Sequence, residues 1–139
     1  MTTPGYKYPL PQPEKDDKPF WDAARRHELV AQRCARCKQF QHPPGQTCPN
    51  CHGEKFEWVK LSGRGVVYTF VIVHQPVNPA FRDKVPYHVV QVTPEDAPGI
   101  HITGNVVGTE NSKLVVGMPV EAIFDDVTPQ ITLVRWQAR

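Results

Sequence analysis

The sequence predicts a mainly β protein with one short N-terminal helix, and three observations carry that prediction. All four cysteines fall in two Cys-x-x-Cys pairs, Cys34/Cys37 and Cys48/Cys51, separated by ten residues. Fifteen prolines in 139 residues favour loops and strands over long helices. From Ser62 onward, short β-branched runs alternate with turns marked by Gly and Pro. Together these give a short helix, a rubredoxin-like zinc ribbon and a C-terminal OB-fold barrel. The expected boundaries are 1–33 for an arm, helix and lead-in strand, 34–60 for the ribbon and 61–139 for the OB-fold domain.

The cysteines come first in the argument. Two residues between cysteines let a tight turn aim both sulfurs at one ion. Two such turns offer Cys34, Cys37, Cys48 and Cys51 as a complete tetrahedral set. The ten-residue gap is shorter than the usual template, but a short ribbon hairpin spans it. Two disulfides would need an oxidising compartment. A redox Cys-x-x-Cys comes singly, on a strand-to-helix turn. A closed four-sulfur site leaves no position for substrate, so the metal is expected to be structural Zn2+, although the same donors also accept iron. The centre would carry about two negative charges, which Arg33, Arg36 and Lys38 are expected to offset.

Residues 1–17 read as an extended arm. Pro4, Pro9, Pro11 and Pro13 block helix and sheet, while Tyr6, Tyr8 and Leu10 supply apolar side chains. Such a segment is expected to lie along a partner protein. Asp16, Asp17 and Pro19 suit a helix start. Phe20, Ala23, Ala24 and His27 then share one face, so the helix is expected to end near His27. The pair Phe20-Trp21 is read as packing, on this chain or on a partner. Leu29–Arg33 reads as the strand entering the first metal turn, and Phe56–Lys60 as a later strand whose Trp58 covers the joint between units.

Gly63 and Gly65 mark a turn into the second half. Strands are expected at Val66–His74, Tyr87–Thr93, Ile100–Val107, Val120–Asp125 and Ile131–Trp136. A loop at Pro76–Pro86 and turns at Pro94–Gly99 and Gly117-Met118-Pro119 separate them. Five short strands with irregular loops suit a small Greek-key barrel of the OB type.

Beyond the cysteines the chain is poor in chemistry. It has no Gly-x-Ser-x-Gly, no Gly-x-Gly-x-x-Gly and no phosphate loop. His74, His88 and His101 lie in or at the ends of strands, where a lone histidine is usually structural. His42 and His52 flank a ligand set that four cysteines already complete. Asp125 and Asp126 are adjacent strand-end residues that point to opposite faces. No catalytic residue is therefore assigned. Net charge is +2, too small to imply nucleic acid by itself. No apolar run approaches the roughly 20 residues that span a bilayer. The N-terminus reads as neither a secretory signal nor a transit peptide, so the expected location is the cytoplasm.

The order of features resembles the zinc-ribbon/OB-fold acyl-CoA-associated family, long catalogued as a domain of unknown function. The matching stretches are Pro19-Phe20-Trp21, Gln32-Arg33-Cys34-Ala35-Arg36-Cys37, Pro43-Pro44, Cys48-Pro49-Asn50-Cys51 and Trp58. In the second half they are Gly63-Arg64-Gly65-Val66-Val67-Tyr68, Val85-Pro86-Tyr87 and Gly117-Met118-Pro119-Val120. Two positions depart from the family pattern. Gly45 stands where a basic residue often follows the prolines, and Lys38 where glycine often follows the first cysteine pair.

The resemblance implies an accessory subunit that is not an enzyme on its own. Relatives associate with thiolases, hydroxymethylglutaryl-CoA synthases and steroid side-chain aldolases, and some are fused to acyl-CoA hydratase-like domains. The expected partner is a thiolase-like acyl-CoA enzyme in a hetero-oligomer, in lipid, aromatic or sterol side-chain breakdown. That partner would hold the catalytic residues and most of the CoA thioester, while this chain shapes the thioester's path. The alternative is a single-stranded nucleic-acid-binding module, because OB barrels and zinc ribbons both serve that purpose. Against it, the barrel half has only Arg64, Arg82, Lys84, Lys113, Arg135 and Arg139 as cations, offset by acidic residues.

Overall fold

In the computed structural model, which describes residues 5–139, the first regular element is helix α1, Lys18–Arg25. Pro19 sits in its first turn, where a missing N–H costs nothing. The helix buries Phe20, Ala23 and Ala24. It stops two residues before the expected end. His27 adopts φ 60°, its N–H bonds Ala24 O at 2.8 Å, and Glu28 N–H bonds Ala23 O at 2.9 Å. This is the paired closure of a helix C-terminus with histidine where glycine is usual. The left-handed turn swings the His27 ring off the helix face and onto the barrel.

Two antiparallel sheets follow. The first has the order β2-β1-β3, with β1 at Val30–Cys34, β2 at Phe40–Gln41 and β3 at Phe56–Lys60. Full pairing from Val30↔Lys60 to Cys34↔Phe56 delivers the first metal turn at the end of β1. The second sheet has the order β6-β5-β4-β7-β8. Its strands are β4, Arg64–Val73; β5, Tyr87–Pro94; β6, Ile102–Gly104; β7, Pro119–Asp126; and β8, Thr132–Ala138. A parallel bridge, Val106↔Trp136, joins its two ends and closes the barrel.

Two details differ from expectation, and a bulge adds a third feature. Gly65 is buried inside β4 rather than in a turn, because β5 passes so close that a Cβ there would lie 2.6 Å from Thr93 O. The expected strand 100–107 shrinks to β6, since Gly104 lies against the Trp136 indole and Asn105 leaves the ladder to accept from Arg135. A bulge between Val67 and Thr69 bends β4, so its pairing with β7 ends at Val66↔Pro119.

The core is continuous across both sheets. Val67, Val90, Val92, Ile102, Val106, Val120 and Trp136 fill the barrel, and Phe20, Leu29, Ala31 and Leu61 join the same cluster from the N-terminal side. Trp58 packs half-buried against it.

The described part of the arm lies on this chain's own barrel. Tyr8 stacks on Phe81 with ring centroids 5.2 Å apart, Lys84 Nζ lies 4.8 Å from the Tyr8 ring centre, and Lys7 pairs with Asp83 at 2.7 Å. The arm rings thus find aromatic and charged partners in the loop before β5. The expectation for residues 1–4 lies outside the described residues. Among the described residues, no helix is long and apolar enough to cross a membrane.

Candidate metal centre

Each cysteine pair forms the same knuckle. Lys38 N–H bonds Cys34 O at 3.0 Å, and His52 N–H bonds Cys48 O at 2.9 Å. Cys34 N–H bonds Gln39 O at 2.9 Å, and Cys48 N–H bonds Gly53 O at 2.8 Å. The residue after each pair is left-handed, Lys38 at φ 67° and His52 at φ 63°. The departure at Lys38 therefore places a side chain where the backbone favours glycine.

The two knuckles face each other and bring all four sulfurs within 4.8 Å of one another. Cys34 and Cys51 Sγ are 3.6 Å apart, as are Cys37 and Cys48 Sγ. Disulfides need about 2 Å. A tetrahedron of thiolates around zinc, with bonds near 2.3 Å, needs about 3.8 Å between sulfurs. Cys34 and Cys48 are buried, and Cys37 and Cys51 half-buried. Gly53 completes the cradle, since a Cβ there would meet Cys51 Sγ at 3.3 Å and Cys34 Sγ at 3.4 Å. The donor set and spacing fit one tetrahedral metal ion.

Backbone N–H groups, more than cations, face the sulfurs. The Cys37 and Arg36 amides hold the Cys34 thiol below its usual range. The Asn50 side chain and the Gln39 amide bring Cys37 down to about 6. Cys51 receives the Gly53 amide, yet burial and the other three sulfurs push it up to about 11. Two of the three expected cations are engaged elsewhere. Arg33 and Lys38 share the Glu57 carboxylate, at 2.7 and 3.1 Å, and hold it below the usual glutamate range. Arg36 is exposed beside the cluster.

Sequence reasoning missed Gln32. Its buried amide bonds both backbone groups of Gly45, accepting from Gly45 N–H and donating to Gly45 O, each at 3.0 Å. That clamp fixes the loop leading to the second knuckle. A Cβ at 45 would displace only the end of the Gln41 side chain, so a larger residue fits once that amide swings aside.

The histidines separate by environment. His88 Nε2 accepts from Val106 N–H at 2.9 Å, so the proton lies on Nδ1, which donates to Asn111 Oδ1 at 2.8 Å. That buried ring is a strut between β5 and the connection after β6. His101 stacks on Tyr68, ring centroids 4.0 Å apart. His27 Nε2 lies 3.0 Å from both Asp126 carboxylate oxygens and stacks on Phe124. Asp125 pairs instead with Arg135 at 2.7 Å, so the two aspartates serve separate contacts. His42 is half-buried, and its desolvation lowers its pKa, while His52 and His74 are exposed. A groove of about 470 Å³ runs between arm and barrel, with Tyr8, Phe81, Lys84, Tyr87 and Arg135 among its walls.

Two family models match the chain. Residues 21–57 match the ChsH2 rubredoxin-like zinc ribbon domain, and residues 58–125 match the ChsH2 C-terminal OB-fold domain. A probable enoyl-CoA hydratase alpha subunit of Thermomonospora curvata is 38% identical over 125 residues, covering 90% of this chain. The chain spans only 38% of that relative's length. A DUF35 domain-containing scaffold protein of Methanocaldococcus jannaschii is 38% identical over 101 residues, 71% of this chain and 69% of the relative. Among solved structures, a chain of an Ltp2-ChsH2(DUF35) aldolase superposes with TM-score 0.81 and 34% identity, covering 93% of this chain and 98% of that one.

Proposed function

This chain belongs to the ChsH2 family of paired zinc-ribbon and OB-fold domains, and from that premise we propose that it is a non-catalytic accessory subunit of a thiolase-fold acyl-CoA enzyme. The observation that carries this reading is the near full-length superposition on the solved chain of the aldolase. The hydratase-subunit and scaffold names of its relatives support the same class of role. The groove between arm and barrel offers aromatic walls and two cations, and in this reading it borders the path of the CoA thioester.

In the same reading Cys34, Cys37, Cys48 and Cys51 hold one structural Zn2+. Its contribution is to fix the ribbon, because a four-thiolate ion has no open position for substrate. Unpaired thiols serving as ligands suit a reducing compartment, so we place the chain in the cytoplasm. The nucleic-acid alternative is disfavoured by charge. Strands β4, β5 and β6 carry one basic residue, Arg64, and it pairs with Glu95 at 2.9 Å. OB barrels that bind oligonucleotides use the face of their second and third strands, here β5 and β6, and a phosphate backbone needs cations there.

The test is turnover of CoA thioesters by the purified chain, by the thiolase-like subunit of the same organism, and by both together. Activity that requires both supports the proposal. Condensation or cleavage by the small chain alone sinks it.

A further inference from the structure

The outer surface of the barrel is unevenly dressed. On the β7–β8 side, the arm and α1 lie against the strands. On the β4 side the surface is bare and apolar. Val66, Tyr68 and Val71 of β4 are 42%, 54% and 58% exposed, and Val115 and Val116 in the turn beside them are 61% and 60% exposed. That turn is fastened to β4 by Gly117 N–H on Val67 O and Val67 N–H on Met118 O. His101 backs the Tyr68 ring, which therefore stands as a fixed aromatic anchor.

Two further observations describe what fits this surface. First, Gly65–Val73 contains no charged residue, and β5 and β6 add none. A charged partner surface would lose its water here with nothing to pair with, so the complement is uncharged. Second, β7 leaves β4 after Val66, and among the described residues no strand pairs with that edge of Thr69–Val73. Open backbone groups at a sheet edge are satisfied by an extended chain.

We propose that this β4 face is where the chain docks its larger enzyme subunit, through an uncharged aliphatic surface that includes an extended segment. The assignment rests on the accessory-subunit reading and adds an interface on β4 that the arm does not cover. Tyr68 is the central anchor, as aromatic side chains in desolvated positions dominate such interfaces. Val66, Val71, Val115 and Val116 surround it.

The experiment titrates the thiolase-fold subunit of the same organism with labelled chain. It compares wild type with Tyr68→Asp, Val116→Lys and, on the arm, Lys15→Glu. Metal content and thermal midpoint establish that each variant is folded, and Val116 sits in an exposed turn where lysine is tolerated. At least tenfold weaker binding by Tyr68→Asp and Val116→Lys, with Lys15→Glu at the wild-type value, supports the proposal. Wild-type binding with both face variants unaffected overturns the docking face and leaves the accessory role intact. No binding by wild type overturns the accessory role and this assignment with it. A wild-type homodimer in sedimentation, abolished by Tyr68→Asp while enzyme binding persists, shows that a second copy occupies the face and overturns the proposed occupant.

Discussion

The ribbon and the barrel are both small antiparallel structures, yet different forces hold them. The barrel interior is a packed set of branched side chains around Trp136. The ribbon sheet has a two-residue strand and buries mainly sulfurs, a glutamine and small residues. Its cohesion comes from two knuckles, four thiolates and the Gln32 clamp. A segment this short cannot bury enough apolar surface to offset its own ordering entropy. The contrast teaches that, with the proposed metal in place, metal and core divide the stability between them, and that Leu29, Ala31 and Leu61 couple the halves.

The strongest way to break this contrast is to remove the metal. Cys34→Ser or Cys51→Ser should abolish tight metal binding and forfeit folding energy on the order of 10 kcal/mol. Hydrogen exchange should then accelerate across residues 34–55 while β4–β8 remain protected. Equal acceleration in the barrel would show that the ribbon is no separate metal-held unit. The converse is a cavity in the barrel. Val92 is fully buried, and Val92→Ala should cost about 1–3 kcal/mol, read as a lower thermal midpoint, with metal content unchanged. Metal loss at the same temperature as barrel melting would mean that the two halves unfold as one.

A smaller effect sharpens the ribbon side. Gln32→Leu leaves the half-buried Gly45 N–H and C=O to turn to water, a loss of about 1 kcal/mol. Weakened metal affinity in a chelator competition, with barrel protection retained, is the expected outcome. The smallest effect concerns the joint. Thr132 and His27 hold the Asp126 carboxyl below its ordinary value of 3.8. A carboxyl depressed on folding stabilises at pH above its unfolded value and loses that contribution as pH falls through its folded one. Asp126→Asn should therefore lower the midpoint at pH 7 slightly, with the gap to wild type closing below about pH 3.8. A gap that persists in acid would rule out the carboxylate as its source.

What the sequence made legible was local. The Cys-x-x-Cys spacing predicts a turn within four residues, and β-branched runs predict strands within eight, so the ribbon and the barrel strands could be read. What escaped depends on partners far along the chain. Gln32 meets Gly45 across 13 residues, His88 meets Val106 across 18, and His27 meets Asp126 across 99. The early end of α1 accompanies the last of these contacts, through a left-handed turn at His27 that no helical periodicity encodes. Gly65 reads as a turn residue because glycine punctuates turns, yet here it admits a neighbouring strand. Arg33 and Lys38 read as balancing the sulfurs because they are close in sequence, while Glu57 reaches them only through the β1–β3 pairing.

The open edge of β4 has one more consequence, for the chain on its own. Tyr68-Thr-Phe-Val-Ile-Val73 is uncharged, lacks proline and is rich in residues that favour extended chains, the profile of a segment that seeds aggregates. Under the proposed docking, a chain made without the enzyme subunit carries that segment uncovered, with no lysine or proline within it as gatekeeper. Production together with the proposed thiolase-fold subunit should therefore raise soluble yield, and Val71→Lys should raise the yield of the chain made alone.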